Sequence, residues 1–339
     1  MAARSAAALW TGGLCLLLLV MLLAAFVVGK FPITPGDVVL VLWDKLTGQA
    51  HGLPGNVEAV VLGIRGPRIA AAILVGASLA AAGAAYQGLF RNPLVSPDIL
   101  GVSSGAALGA VLGIFMSWPV VAIQGLSFLF GLGAVAAVYG IGTAVRGHDP
   151  ILVLVLAGVV IGTLLGSVIA LLKYFADPYN QLPAITYWLL GSLAATNSAD
   201  VLSALAPIAI GLVPLFLLRW RMNLMSLEDE EARALGVSTG QIRLAIIAAA
   251  TLITAASVSI SGIIGWVGLL IPHFARLLVG PDFGKLLPVS ILLGASYLLG
   301  VDTLARTAAV IEIPLGVLTA FIGTPLFLWL LVGVRRSWQ

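Results

Sequence analysis

Groups able to do chemistry are sparse in this chain: 339 residues carry 14 acids, 17 Lys and Arg, three histidines and one cysteine. His51, His148 and His273 lie too far apart for the usual metal-ligand spacing, and Cys15 sits inside an apolar run. Neither a disulfide framework nor a Cys/His metal site is expected. Two Gly-Lys pairs, at Lys30 and Lys285, are followed by Phe31 and Leu286, where a phosphate-binding loop needs Ser or Thr. The chain is therefore expected to hydrolyse no ATP by that route, and no catalytic residue, metal or cofactor is assigned to it.

Three constellations remain. Asn223 to Val237 is the one strongly acidic loop: Leu224, Ser226, Leu227, then Glu228, Asp229, Glu230 and Glu231, then Ala232, Leu235 and Gly236. It reads as a short helix with Ser226 as N-cap, acids at the positive helix N-terminus and Gly236 as the stop. Leucines beside four consecutive acids suit a protein partner better than a solvated connector. The second constellation is basic: Arg65 and Arg68, in Arg-Gly-Pro-Arg, with Arg306. These side chains suit carboxylates of an external partner; equally, Asp302 four residues before Arg306 suits a local ion pair. The third is glycine at every fourth position: Gly101, Gly105, Gly109 and Gly113, then Gly158, Gly162 and Gly166. Such smooth faces serve close helix packing, and the second set serves equally well as the lining of a wide pathway.

The elements that must position these groups follow from composition. Sixty per cent of residues are apolar and nine per cent charged, far from a soluble domain. The expectation is an all-α polytopic membrane protein, one transmembrane domain over 1–339, with about ten spans. They fall near 8–29, 67–89, 98–116, 120–145, 150–172, 199–218, 241–261, 264–280, 286–305 and 314–334. The first reads as a retained span rather than a secretory signal. Stretches 30–66 and 173–198 read as longer loops, the second with a short interfacial helix over 183–193. Ten spans put both termini on one side. If that side is cytoplasmic it carries eleven of the 17 basic residues and the other side six, Lys30, Lys45, Arg65, Arg68, Lys173 and Arg306. Scattered basic charge, net +3, argues against nucleic acid. Few acids fall within spans, so a proton- or sodium-coupled transporter built on Asp302 or Glu312 is the lesser alternative.

Several longer motifs point further. They are Gln87-Gly-Leu-Phe-Arg-Asn-Pro-Leu-Val-Ser-Pro-Asp98, Leu100-Gly-Val-Ser-Ser-Gly-Ala106, Trp188-Leu-Leu-Gly-Ser-Leu193, Gly268-Leu-Leu-Ile-Pro-His-Phe-Ala-Arg276, Asp302-Thr-Leu-Ala-Arg306, Glu312-Ile-Pro-Leu-Gly316 and Gly323-Thr-Pro-Leu-Phe327. With them the chain resembles, almost end to end, the FecCD-type permeases of importers for iron-siderophores, haem and cobalamin. The resemblance implies a cobalamin-importer-permease-like, type II ABC importer fold in a bacterial cytoplasmic membrane. It also implies a second permease subunit, two separate ATPase subunits that use ATP and Mg, and an extracytoplasmic substrate-binding protein. On that resemblance, Leu224 to Gly236 docks the ATPase and Arg65, Arg68 and Arg306 dock the binding protein. Glu228 and Ile263 depart from the family's common Gly and Pro.

Overall fold

The computed structural model describes residues 2–48, 52, 54–145, 150–225, 227, 229–236 and 238–334, and every regular element among them is helical. In chain order these are α1 Ala2–Val27, α2 Pro35–Thr47, α3 Gly55–Glu58, α4 Gly66–Leu89, α5 Val102–Phe115, α6 Val120–Ala144, α7 Pro150–Phe175, α8 Gln181–Leu189, α9 Ser198–Leu224, α10 Asp229–Ala234, α11 Thr239–Ser261, α12 Val267–Val279, α13 Phe283–Thr307 and α14 Leu315–Val334. A π-helical stretch, Ala59–Arg65, fuses α3 to α4.

Among the described residues, seven helical stretches are long and apolar enough to cross a membrane alone: those of α1, α3–α4, α6, α7, α9, α11 and α13. Each of the ten expected spans has a helix. The other three, α5, α12 and α14, are shorter apolar helices. The stretch expected as a loop over 30–66 is instead largely helical. Thr34 accepts from the Asp37 amide while Asp37 accepts from the Thr34 amide, Pro35 opens α2, and Gly48 closes it at φ 71°. This reciprocal cap, with a left-handed glycine stop, makes a helix of a segment too short to span.

Burial sorts the helices. The α3–α4 span is 83% buried, against 22% for α6, α7 and α9, so α4 is the central post. It packs on α9, α11, α12 and α13, and the approach is close because the residues there are small. A Cβ on Gly76 or Gly83 would collide with backbone of Gly294 or Gly268. The third-span glycines do the same against α6: Gly105, Gly109 and Gly113 meet Phe130, Leu126 and Ile123.

Polar contacts define two faces. At one, the end of α1 meets the start of α4 and the end of α13: Arg65 donates to the carbonyls of Phe26 and Phe31, Arg306 to that of Ala25 at 3.2 Å, and Lys30 to that of Val310 at 2.6 Å. At the other, Arg91 donates to the Met225 carbonyl at 3.1 Å, and Asn223 joins Asp282 at 2.9 Å and the Phe283 amide at 2.8 Å. Since α1 ends and α14 begins at the first of these, the start of α1 and the end of α14 lie toward the second. We call the first the far face and the second the terminal face.

Candidate functional site

At the far face, Arg68 and Arg306 converge on one carboxylate. Asp302 accepts from Arg68 Nε at 2.8 Å, and its other oxygen lies 3.2 Å from Arg306 Nε, an ion pair without hydrogen-bond alignment. Arg68 Nη1 reaches on to Glu312 at 2.9 Å. Asp302 is fully buried, and Arg65, Arg68 and Arg306 are only 4%, 5% and 7% exposed. Of the two uses that spacing left open, the single chain forms the local one, Asp302 pairing with Arg306 and also with Arg68. Arg65 turns instead to the carbonyls at and just after the end of α1. Glu312 is the most accessible member, its side chain 31% exposed. The cluster ties α4, α13 and the segment leading into α14 together.

Beside it, three backbone segments are knotted. The Ser192 amide donates to the Ser261 carbonyl at 2.8 Å, the Leu315 amide to Gly191 at 2.9 Å and the Gly316 amide to Leu190 at 3.0 Å. The segment after α8, the break between α11 and α12, and the entry to α14 are therefore one hydrogen-bonded unit. Glycine is required here for two reasons. Gly191 and Gly262 have φ of 73° and 66°, where a Cβ is disfavoured. A Cβ on Gly262 would also strike the Trp188 carbonyl, and one on Gly316 would sit 2.6 Å from that of Leu190. Trp266, itself at φ 71°, starts α12 and stacks edge-on against Phe327 of α14 at 6.1 Å. The knot roofs an apolar cavity of about 730 Å³ lined by Leu189, Leu190, Trp266, Ala320, Phe321 and others.

On α7 the glycine question divides by position. Gly158 is pressed against the Ile99 carbonyl and is a packing glycine; Gly162 makes ordinary contact with Ser104; around Gly166 there is nothing within 4 Å. The side chains about it, Val159, Val160 and Leu164, are exposed, as are Phe321, Leu328 and Trp329 of α14. Neither helix carries a charge before Lys173. A further, mostly apolar cavity of about 410 Å³ lies beside α8, where Gln124 of α6 donates to the buried Asp200 of α9 at 2.9 Å. Asp200 also completes the α9 capping box with Asn197.

At the terminal face the acidic loop forms α10, the short helix expected there. Gly236, at φ 81° and with open space around it, ends the turn. Ser226, Glu228 and Val237 lie outside the described residues. The leucines do not share one role. Leu224 packs on the chain's own core and Leu227 is half-buried, whereas Leu235 is 62% exposed. Ala232 is fully buried, and Glu230 and Glu231 are exposed. Next to this loop, the amide of Asn223 holds the Asp282 carboxyl below its ordinary 3.8. That contact's contribution to stability is complete above the ordinary value and is lost as pH falls through the depressed one. Among the described residues no group of three or more His, Cys, Asp or Glu is placed to hold a metal.

Only Trp188-Leu-Leu-Gly-Ser-Leu193 and Glu312-Ile-Pro-Leu-Gly316 hinted at the knot in advance, and their glycines meet in space.

Comparison with known proteins agrees with this architecture. The model of the FecCD transport family matches residues 16–333. The chain is 39% identical to the molybdate import system permease protein of Haemophilus influenzae over 96% of both chains. It is 42% identical to a probable iron chelatin transport system permease protein of Helicobacter pylori, covering 83% of this chain and 84% of that one. A solved inward-facing structure described as a metal-chelate type ABC transporter superposes with a TM-score of 0.86 at 37% identity, covering 95% of this chain and 98% of the other. Matched over nearly its whole length by the family's model and by relatives at this identity, the chain belongs to the FecCD transport family of ABC importer permeases.

Proposed function

We propose that this chain forms the translocation pathway of an ATP-driven importer of a metal chelate, ferric siderophore first and haem or cobalamin next. The observation that carries the reading is the match to the FecCD family over residues 16–333, and that resemblance implies a pathway lined by the fifth and tenth spans, α7 and α14. Both have apolar side chains exposed in the single chain, and a Cβ on Gly166 of α7 would meet nothing within 4 Å. A second permease subunit, identical or related, completes the wall. Such a wall suits a bulky chelate with an apolar periphery. A small oxyanion such as molybdate would call for cationic groups or aligned donors, which neither helix presents ahead of Lys173.

In this reading the terminal face is cytoplasmic, as the eleven-to-six division of basic residues favours. Two ATPase subunits, using ATP and Mg, dock against α10 and Leu235; their closure is transmitted through 224–236 to reorient the helices. The permease itself supplies only different interaction energies in its two states. A substrate-binding protein delivers the chelate to the far face. Arg65, Arg68 and Arg306 serve that docking as positioning residues, holding the surface in shape, with Glu312 within reach of the partner. Ion coupling through Asp302 has little support, since both its oxygens are committed to arginines.

The experiment is ATP hydrolysis and lumenal uptake in liposomes holding the permease with its ATPase and binding protein, across ferric siderophores, haem, cobalamin and molybdate. Stimulation by one chelate-loaded binding protein is expected. Uptake that persists without the ATPase would overturn the reading in favour of ion coupling, and stimulation by molybdate alone would overturn the substrate class. For the coupling loop, Leu235→Asp should strip ATPase from the co-purified complex while leaving the permease's elution volume unchanged. Undiminished co-purification would remove Leu235 from the interface.

A further inference from the structure

The helix α2, absent from the expected architecture, has two apolar faces. Val38 and Val41 are buried against Ile33 and Val61. On the other side Val39, Leu42, Trp43 and Leu46 recur at the i, i+3, i+4, i+7 spacing of a single helix face. They are exposed by 63%, 42%, 54% and 83%. No charged residue interrupts this stripe; Asp37, Asp44 and Lys45 fall on the remaining arcs.

Position narrows what covers the stripe. Helix α4 alone, 24 residues, is about 36 Å long and already crosses a hydrocarbon core of about 30 Å. The π-helical stretch and α3, on which α2 packs, therefore lie at the level of the lipid headgroups. Residues 28–34 tether α2 to the far end of α1, whose Leu16, Leu19, Val20 and Leu23 are exposed along the span. The end of α1 and α2 are in contact, and a tryptophan at this level has its apolar ring and its indole N–H in the two media it suits.

We propose that the Val39–Leu46 face of α2 rests in the boundary between headgroups and acyl chains of the leaflet at the far face. There it anchors the α1–α4 corner, which Arg65 rivets from inside, to the membrane. The inference does not depend on what the transporter carries or on which side of the cell the far face lies.

The test uses the whole transporter in liposomes, in a Cys15→Ser background, with a nitroxide attached at Leu46→Cys or, for comparison, at Lys45→Cys. Leu46 contributes little packing at its exposure, so the label leaves the fold intact. Relaxation by molecular oxygen exceeding that by a water-soluble nickel chelate several-fold at position 46, and the reverse at 45, is the expected result. Water-like access at both positions overturns the proposal. So does shielding of position 46 from both reagents, which would mean a second protein chain covers the stripe, or shielding that appears only when the binding protein is added.

Discussion

Asp302→Ala is expected to destabilise the folded permease by about 3–5 kcal/mol, because it removes the shared acid from two buried guanidinium groups. Arg68 and Arg306 would each lose their closest carboxylate, at 2.8 and 3.2 Å, in a site where Arg68 and Arg306 are 5% and 7% exposed. Glu312 remains to Arg68 alone and is partly solvated. Glu312→Gln should therefore cost much less, on the order of 1 kcal/mol. Monodispersity after graded heating in detergent measures both. The sharper check removes the acid together with both guanidinium groups paired to it: Asp302→Leu with Arg68→Met and Arg306→Met should recover much of the lost stability. An Asp302→Ala protein as heat-resistant as the parent would show that the three groups are hydrated or otherwise partnered, and the cluster would lose its structural role.

Gly262→Ala is the second large effect, and it falls on transport. At φ 66° and ψ −164° the residue sits in a region that L-residues enter at a cost of about 1–3 kcal/mol, before any collision is counted. The added methyl would also meet the Trp188 carbonyl and force α8 away from the α11–α12 break. Because α8 and α14 are joined through the same knot, the displacement reaches the cavity wall. Uptake per folded permease should fall at least about tenfold, a loss of roughly 1.4 kcal/mol or more in the transport barrier. Gly166→Ala, with nothing within 4 Å to meet its methyl, is the control and should leave the fold and the elution profile unchanged. Equal uptake by the Gly262→Ala and parent proteins would mean that the knot is pliable and does not position the wall.

Most of the fold was legible in the chain because membrane spans announce themselves by length and by lack of charge. Each of the ten expected apolar stretches coincides with a helix, and the acidic loop carries the short helix α10, Asp229–Ala234, ahead of Gly236. Helix α2 was not legible: its stripe and its buried pair together leave no clean polar face, so the segment reads as a mixed loop. Its reciprocal Thr34–Asp37 cap was the available signal. The boundaries of α8, expected over 183–193 and found over Gln181–Leu189, moved because Gly191 was needed for the knot rather than for a longer helix.

The class of protein, the number and order of its apolar helices, the lack of a phosphate-binding loop motif and the family were all readable from the linear chain. Those properties reside in composition and in contiguous motifs, which need no partner from elsewhere in the chain. What the arginines pair with and which glycines pack came only with the folded arrangement. Spacing offered Arg306 both an internal acid and an external one. Burial beside Asp302 chose the internal one, because a guanidinium removed from water must be paired where it lies. Likewise Gly158 and Gly166 occupy equivalent places in one repeat, yet one faces the Ile99 carbonyl and the other open space. A four-residue period fixes which residues share a face of a helix; what that face meets depends on helices far away in the chain.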